Sequence, residues 1–397
     1  MRNGHEIAIR RQRNLWRVAA IALACILPSF SMAQEPAEWR VTRDLRIDAA
    51  QHDLTLITPP GAMAVSRSGV IAVTQNQDGT IRFFSADGES LGSFGRKGQG
   101  PGEFQQMTRF MWAGDTLVVS DQRSRRLTLI SPDRKLLRTV PWLTEVSMPS
   151  TSATSAPRFI VSFPRMRFAD GGQLVSVSVA TGSPEPSWPG GAREGTPFLR
   201  VDSAGNFKRL LAWSSRRQCS SYYDAGNGMG SGTLTIPYCA QTIEEVSPEG
   251  VLLLTIAEPG NTSSYRVMAL RENGDTVFNR SYRYQSVSIP QRARDSVRVM
   301  RARGSQSQRD AAAAMPIPET YPPIARVLPG RDQTTWLETY GAAGARSWRV
   351  LDERGEVQGR VTFPANVQVM VASRDIVWGI ETDADGLQHI IRYRVSR

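Results

Sequence analysis

Residues 71–91, IAVTQNQDGTIRFFSADGESL, align without a gap to residues 117–137, LVVSDQRSRRLTLISPDRKLL, at an offset of 46. In each copy an apolar run (Ile71 Ala72 Val73; Leu117 Val118 Val119) passes through polar residues into a second one (Ile81 Arg82 Phe83 Phe84; Leu127 Thr128 Leu129 Ile130). A tight turn and a further strand-like stretch follow. Short runs of β-branched and aromatic residues bounded by Gly, Asp and Pro are the grammar of strands. Neither copy can bury its own apolar faces, so neighbouring copies must cover them, as in a repeat fold.

Turn residues carry the repeat along the rest of the chain. Gly- and Asp-rich pairs precede a strand-like run six times, at Ser68 Gly69, Gly114 Asp115, Gly171 Gly172, Glu249 Gly250, Arg331 Asp332 and Arg374 Asp375. Pairs that close a hairpin occur five times, at Asp87 Gly88, Asp133 Arg134, Ala204 Gly205, Asn273 Gly274 and Arg354 Gly355. Six against five predicts an all-β chain, a six-bladed β-propeller of four-stranded antiparallel blades. The last blade then lacks an outer strand, which the N-terminal stretch Val41 to Ile47 supplies, removing an exposed edge.

The link after the first repeat reads FGRKGQGPGEF, Phe94 to Phe104, with Asp121 and Arg126 downstream. This resembles the NHL repeat family, whose repeats join an F-G-x-x-G, G-x-F connector to a strand that ends in Asp and is followed by Arg. The resemblance covers residues 60–140; Ser124 stands where the family has Asn, and the other repeats lack the full connector. It implies a propeller fold, with Asp121 and Arg126 as a structural pair between blades. It also brings the RNA binding of intracellular NHL proteins as a remote alternative, which an export signal opposes.

That signal occupies residues 1–33: Arg10, Arg11, Arg13 and Arg17 precede the apolar run Val18 to Leu27, and Ser31 Met32 Ala33 offers a cleavage site. An apolar run of about ten residues is too short for a bilayer that needs roughly 20. Residues 34–397 then form a single periplasmic or extracellular propeller domain with no transmembrane span. Cys25, after Ala22 Leu23 Ala24, offers lipoprotein anchoring as a lesser alternative. The two remaining cysteines, Cys219 and Cys239, are expected to form a disulfide in an exported chain.

The formal charge is +11, of which the signal contributes five Arg and one Glu, leaving +7. The positive charge is nearly all Arg and is dispersed, which fits a solvated surface and not a nucleic-acid footprint.

In a four-stranded blade the first and third turns share one face. Here that face has only short turns. The long insertions, Trp142 to Pro164, Thr181 to Thr196, Ser214 to Tyr238 and Ser288 to Pro323, all fall on the other face, where function is expected. The last one (288–323) is read as one short helix, with Pro290 in its first turn and Ala293, Val297 and Met300 on one side. Its Arg292, Arg294, Arg298, Arg301 and Arg303 would make a basic lid or a solvated helix face. Tyr222, Tyr223 and Tyr238 in the disulfide loop suit contact with a glycan or protein partner, or else pack inward.

The innermost strands line the channel and bring Arg109, Arg165, Arg167, Arg326 and Glu244 towards it. Converging Arg favours an anionic ligand, unless each Arg is neutralised by a carboxylate of the next blade. Catalytic groups are scarce, since past the signal the chain has only His52 and His389. No catalytic residue, metal or cofactor is assigned. The expected role is therefore an exported ligand-binding or interaction module. The enzymatic alternative is a calcium-dependent lactonase, for which Glu244 or Glu245 would be one ligand.

Overall fold

In the first strand, β1 (Glu38–Ile47), apolar residues that face inward sit among charged ones, and the chain then enters the aligned repeat. The computed structural model describes residues 36–48, 51–52, 63–148, 157–180, 182–184, 186, 188, 195–214, 219–224, 231–257 and 263–397. The expected signal, its cleavage site and Cys25 lie outside the described residues.

The two copies of the repeat form two antiparallel sheets. The first holds β2 (Met63–Val65), β3 (Ile71–Gln75), β4 (Thr80–Phe84) and β5 (Ser90–Phe94). The second holds β6 (Met107–Ala113), β7 (Thr116–Asp121), β8 (Arg126–Ile130) and β9 (Leu136–Pro141). A third sheet places the two-residue β10 (Glu145–Val146) beside β11 (Phe159–Arg167), β12 (Gln173–Val179), β13 (Thr196–Val201) and β14 (Phe207–Ser214). The pair β15 (Ser220–Asp224) and β16 (Ser231–Thr235) is a separate hairpin. It precedes a sheet of β17 (Ile243–Val246), β18 (Leu252–Ala257), β19 (Ser264–Leu270) and β20 (Thr276–Arg283).

Two helices follow, α1 (Gln291–Arg301) and α2 (Gln306–Ala313), and then the last strands. These are β21 (Arg326–Pro329), β22 (Thr335–Tyr340), β23 (Arg346–Leu351), β24 (Val357–Val361), β25 (Val367–Ala372), β26 (Ile376–Thr382) and β27 (Gln388–Ser396). Together with β1 they make one sheet of eight strands, ordered β21-β22-β23-β24-β1-β27-β26-β25. β1 runs antiparallel to β27 from Arg40↔Ser396 to Ile47↔Ile390, as expected of a closing strand. Its first residues also touch β24 in parallel, Glu38↔Arg360 and Trp39↔Val361. The Trp39 ring lies against Gly359, where an added Cβ would run into the indole.

The architecture is all-β and propeller-like, and the sequence explains the packing between sheets. Consecutive residues of a strand point to opposite faces. Ile71 and Val73 pack with Trp378, Ile380 and Ile390 of the last strands, while Ala72 packs with Phe110, Trp112 and Leu117 of the second sheet. Both faces of β3 are thus dry, and its apolar run is continuous instead of alternating. Leu174 and Phe198 meet Leu252 and Leu254 in the same way, and Leu253 and Val267 meet Val327 and Leu337. Each such side chain, once buried, contributes about 1.5–3 kcal/mol.

The connector is held from below. Asp121, fully buried, accepts hydrogen bonds from the amides of Gln105 (2.7 Å), Gln106 (3.1 Å) and Ser124 (3.1 Å). Arg126 donates to the carbonyls of Gln99, Gly100 and Glu103. The two residues face each other across β7 and β8. Among the described residues the expected pair is thus not joined directly: Arg126 grips the connector main chain, and Asp121 grips the two residues that follow it and its own turn. Phe104, also fully buried, closes on Gly95, whose φ of +89° and absent Cβ allow that approach.

The single helix expected within 288–323 is corrected to two. Gly304, at φ +101°, breaks the helical path, and Ser305 restarts it with a capping box to Gln308. Val297 of α1 is buried, but Met300 is 57% exposed, so the expected apolar side is shorter than three residues.

Candidate functional site

The first strands of the sheets run from the long-loop side towards the tight turns, and five of them, β2, β6, β17, β21 and β25, line one cavity of about 500 Å³. Volumes of a few hundred Å³ are those of small-ligand sites. Part of its wall is apolar, with Met63, Phe110, Met111, Trp112, Val327 and Met370 among the lining residues. Gln241, Arg109, Arg326 and Gln368 give it polar groups towards the long-loop end; Arg67, Glu249 and Arg331 do so at the tight-turn end.

Alternation along β17 separates its two carboxylates. Glu245 faces the cavity, where its Oε2 stands 3.9 Å from Nη1 of Arg109. Glu244 turns towards the third sheet, where it accepts a hydrogen bond from Ser214 and lies 3.8 Å from Nη2 of Arg165. Burial pushes the Glu245 carboxyl above the usual carboxylate range, against the opposing pull of Arg109 and Arg165. Burial likewise lowers Arg165, and its neighbour Arg109 adds to that effect.

Arg326 begins β21 directly opposite Glu338 of β22. Its Nη2 donates to the Val369 carbonyl at 2.9 Å, and its guanidinium lies 5.5 Å from the centre of the Trp348 ring. Burial lowers its pKa and the Glu338 carboxylate raises it. Glu338 is itself bonded to Arg346 at 3.4 Å.

The predicted site residues therefore divide. Arg109 and Arg326 reach the cavity, and Glu245 joins them. Arg165 stands to the side, 5.3 Å from the Phe198 ring centre, paired with Glu244. Arg167 lies with Arg165 in a recess of about 20 Å³ between the second and third sheets, and donates to the Phe168 carbonyl. Arg67, Glu249 and Arg331 carry no compositional signal; their places in or beside the counted turns are what could have marked them.

The disulfide Cys219–Cys239 ties the ends of the β15–β16 hairpin. Tyr223 turns onto α2, where its hydroxyl accepts a hydrogen bond from Gln308 at 2.7 Å. The side chain of Tyr222 lies outside the described residues. Ile236 packs with Ala312 and Met315, so the hairpin and α2 pack as one unit. Arg301 of the expected basic lid donates to the Met315 carbonyl, and Arg298 pairs with Asp295. Next to the disulfide, Tyr238 meets Tyr321 edge-on at 5.0 Å, and Tyr321 stacks on Tyr340 at 4.1 Å.

The two histidines lie elsewhere. His52 abuts the Phe84 ring edge-on at 5.3 Å. His389 is 1% exposed, with Nε2 2.8 Å from Asp383 and Nδ1 3.4 Å from Asp48.

No family model matches the chain, and no curated relative matches it. Among solved structures, a member of the DUF4221 family from Bacteroides vulgatus is 11% identical with a TM-score of 0.48, covering 91% of this chain and 100% of its own. Virginiamycin B lyase from Staphylococcus aureus is 10% identical with a TM-score of 0.39, covering 90% and 99%. The calcium-binding protein regucalcin from Agrobacterium tumefaciens is 9% identical with a TM-score of 0.38, covering 90% and 96%.

Proposed function

We propose that this chain is an exported, six-bladed ligand-binding propeller whose site is the central cavity and the long-loop face. The eight-stranded sheet is read as two blades, β21–β24 and β25–β27 completed by β1, bridged by two parallel residue pairs. The observation that carries the binding role is that Arg109, Arg326 and Glu245 line one cavity of about 500 Å³ together with apolar side chains. Charged groups placed among apolar side chains of a pocket fix the orientation of a small ligand. The disulfide supports an oxidising compartment, periplasmic or extracellular. Among the described residues, no helix is long and apolar enough to cross a membrane.

A calcium-dependent lactonase fits the cavity poorly. A hard cation needs several oxygen ligands. Glu245 is the carboxylate at this level of the cavity, and it faces arginines, whose charge opposes a cation.

The test is a thermal-shift screen of residues 34–397 against small anions, acidic glycans, short peptides and metals. A ligand that binds only the folded state raises its melting temperature. Anionic ligands should protect the wild type and not the Arg109→Ala/Arg326→Ala variant. Equal protection of both would place the site elsewhere.

A further inference from the structure

The cavity holds charges of both signs whose hydrogen-bonding capacity is unspent. Among the described residues Glu245 accepts no hydrogen bond, and its nearest cation, Arg109, stands at 3.9 Å, beyond hydrogen-bonding reach. The Arg109 side chain likewise donates no hydrogen bond among the described residues. Arg326 donates through Nη2 to Val369, and its remaining N–H groups make no other hydrogen bond among the described residues. These groups are open to the cavity, with 27% of the Arg109 side chain and 37% of the Glu245 side chain exposed, so a ligand that enters it can supply the partners they lack.

The signs decide which ligand can do so. A simple anion satisfies Arg109 and Arg326 but brings a second negative charge against Glu245. A simple cation satisfies Glu245 but meets two guanidinium groups. A dipolar ion presents an acceptor to the arginines and a donor to the glutamate at once. The apolar wall, with Met111, Trp112 and Met370, leaves room for an uncharged hydrocarbon group beside the charged end.

We propose that the cavity binds a zwitterion of the α-amino-acid type carrying an apolar side group, its carboxylate held by Arg109 and Arg326 and its ammonium by Glu245. This rests on the reading of the cavity as the ligand site and narrows the ligand class. The carboxylate pairs with the guanidinium groups through charge-assisted hydrogen bonds, and the ammonium donates to the Glu245 carboxylate. The side group lies along the apolar wall.

Three probes separate the charges: phenylalanine, 3-phenylpropanoate, which lacks the amine, and 2-phenylethylamine, which lacks the carboxylate. Binding is measured by calorimetry on residues 34–397. Phenylalanine is expected to bind at least about tenfold more tightly than either analogue, the gain of one charge-assisted contact worth about 1.4 kcal/mol. Glu245→Gln should reduce phenylalanine to the level of 3-phenylpropanoate while leaving the latter no weaker. Arg109→Gln should weaken phenylalanine and 3-phenylpropanoate and spare 2-phenylethylamine. Circular dichroism and melting curves of both variants confirm that they fold.

Equal affinity for phenylalanine and 3-phenylpropanoate overturns the zwitterion assignment and leaves the cavity as an anion site. Failure of all three probes, with anions still protecting in the thermal-shift screen through Arg109 and Arg326, also overturns the assignment alone. Failure in both experiments overturns the site itself.

Discussion

Glu245 Oε2 and Arg109 Nη1 face each other at 3.9 Å across the cavity, one from β17 and the other from β6. The distance leaves the pair electrostatically coupled without a hydrogen bond, and desolvation of Glu245 outweighs the attraction, since its pKa is raised. A carboxyl whose folded pKa lies above its unfolded value binds more protons in the folded state. Its ionisation therefore removes stability as pH rises from about 4.5, the ordinary value, through the folded pKa. Glu245→Gln is expected to raise the melting temperature at pH 7, and the gain should fade as pH drops towards 4.5. A pH series of melting curves checks this; a gain that persists at pH 4 would contradict it.

Asp121 holds three main-chain amides around the connector. Asp121→Ala leaves them without their acceptor in a buried position, and a buried donor left unsatisfied costs about 1–3 kcal/mol. The expected loss is about 3 kcal/mol in urea denaturation. Ordinary stability in this variant would mean that water replaces the carboxylate.

His389 sits between Asp383, at 2.8 Å, and Asp48, which follows the closing strand β1. His389→Ala is expected to cost about 2 kcal/mol, as for a buried polar partner removed. Hydrogen exchange should speed up in Arg40–Ile47 before the middle strands of the other sheets. Uniform acceleration would deny the closing strand this special dependence.

The disulfide constrains the β15–β16 hairpin and the residues that lead into β17. Cys219→Ser/Cys239→Ser should lower stability by about 3 kcal/mol in the chain-entropy account of a loop of this length. Because Gln241 lines the cavity two residues after Cys239, ligand affinity should fall as well. Denaturation and calorimetry with and without reductant test the two effects separately.

Much of the scaffold was legible because strand formation here is local. Runs such as Ile71–Val73 and Leu117–Val119 are apolar throughout, and turns such as Asp87 Gly88 supply the positive φ that a hairpin needs. The closing role of Val41–Ile47 followed from a missing strand, and β1 does pair with β27. The second helix was less visible. Its signal is only Ser305 and Gln308 after Gly304, a cap that is confirmed by geometry.

The site was legible only in part. Arg109 and Arg326 were marked by their inner strands, but nothing local distinguishes Arg165, which pairs with Glu244 beside the cavity, from Arg109, which opens into it. The difference depends on which face of each strand turns to the channel, and bulges in β6 and β11 alter that parity. Glu244 and Glu245 are neighbours in sequence, yet serve different sheets.

By itself the sequence determined most strands of the repeat, their turns, the pairing of the two cysteines and the segment that pairs with the last strand. These depend on residue type and on spacing over a few positions. The same sequence reads as loops over Trp142–Pro164 and Ser214–Tyr238, where the structure has β10, the start of β11 and the β15–β16 hairpin. Only the tertiary structure decided that Arg109, Glu245 and Arg326 share one cavity while Arg165 and Arg167 do not. Those residues come from different sheets, and their meeting is set by twist, register and burial, which no short stretch of chain contains.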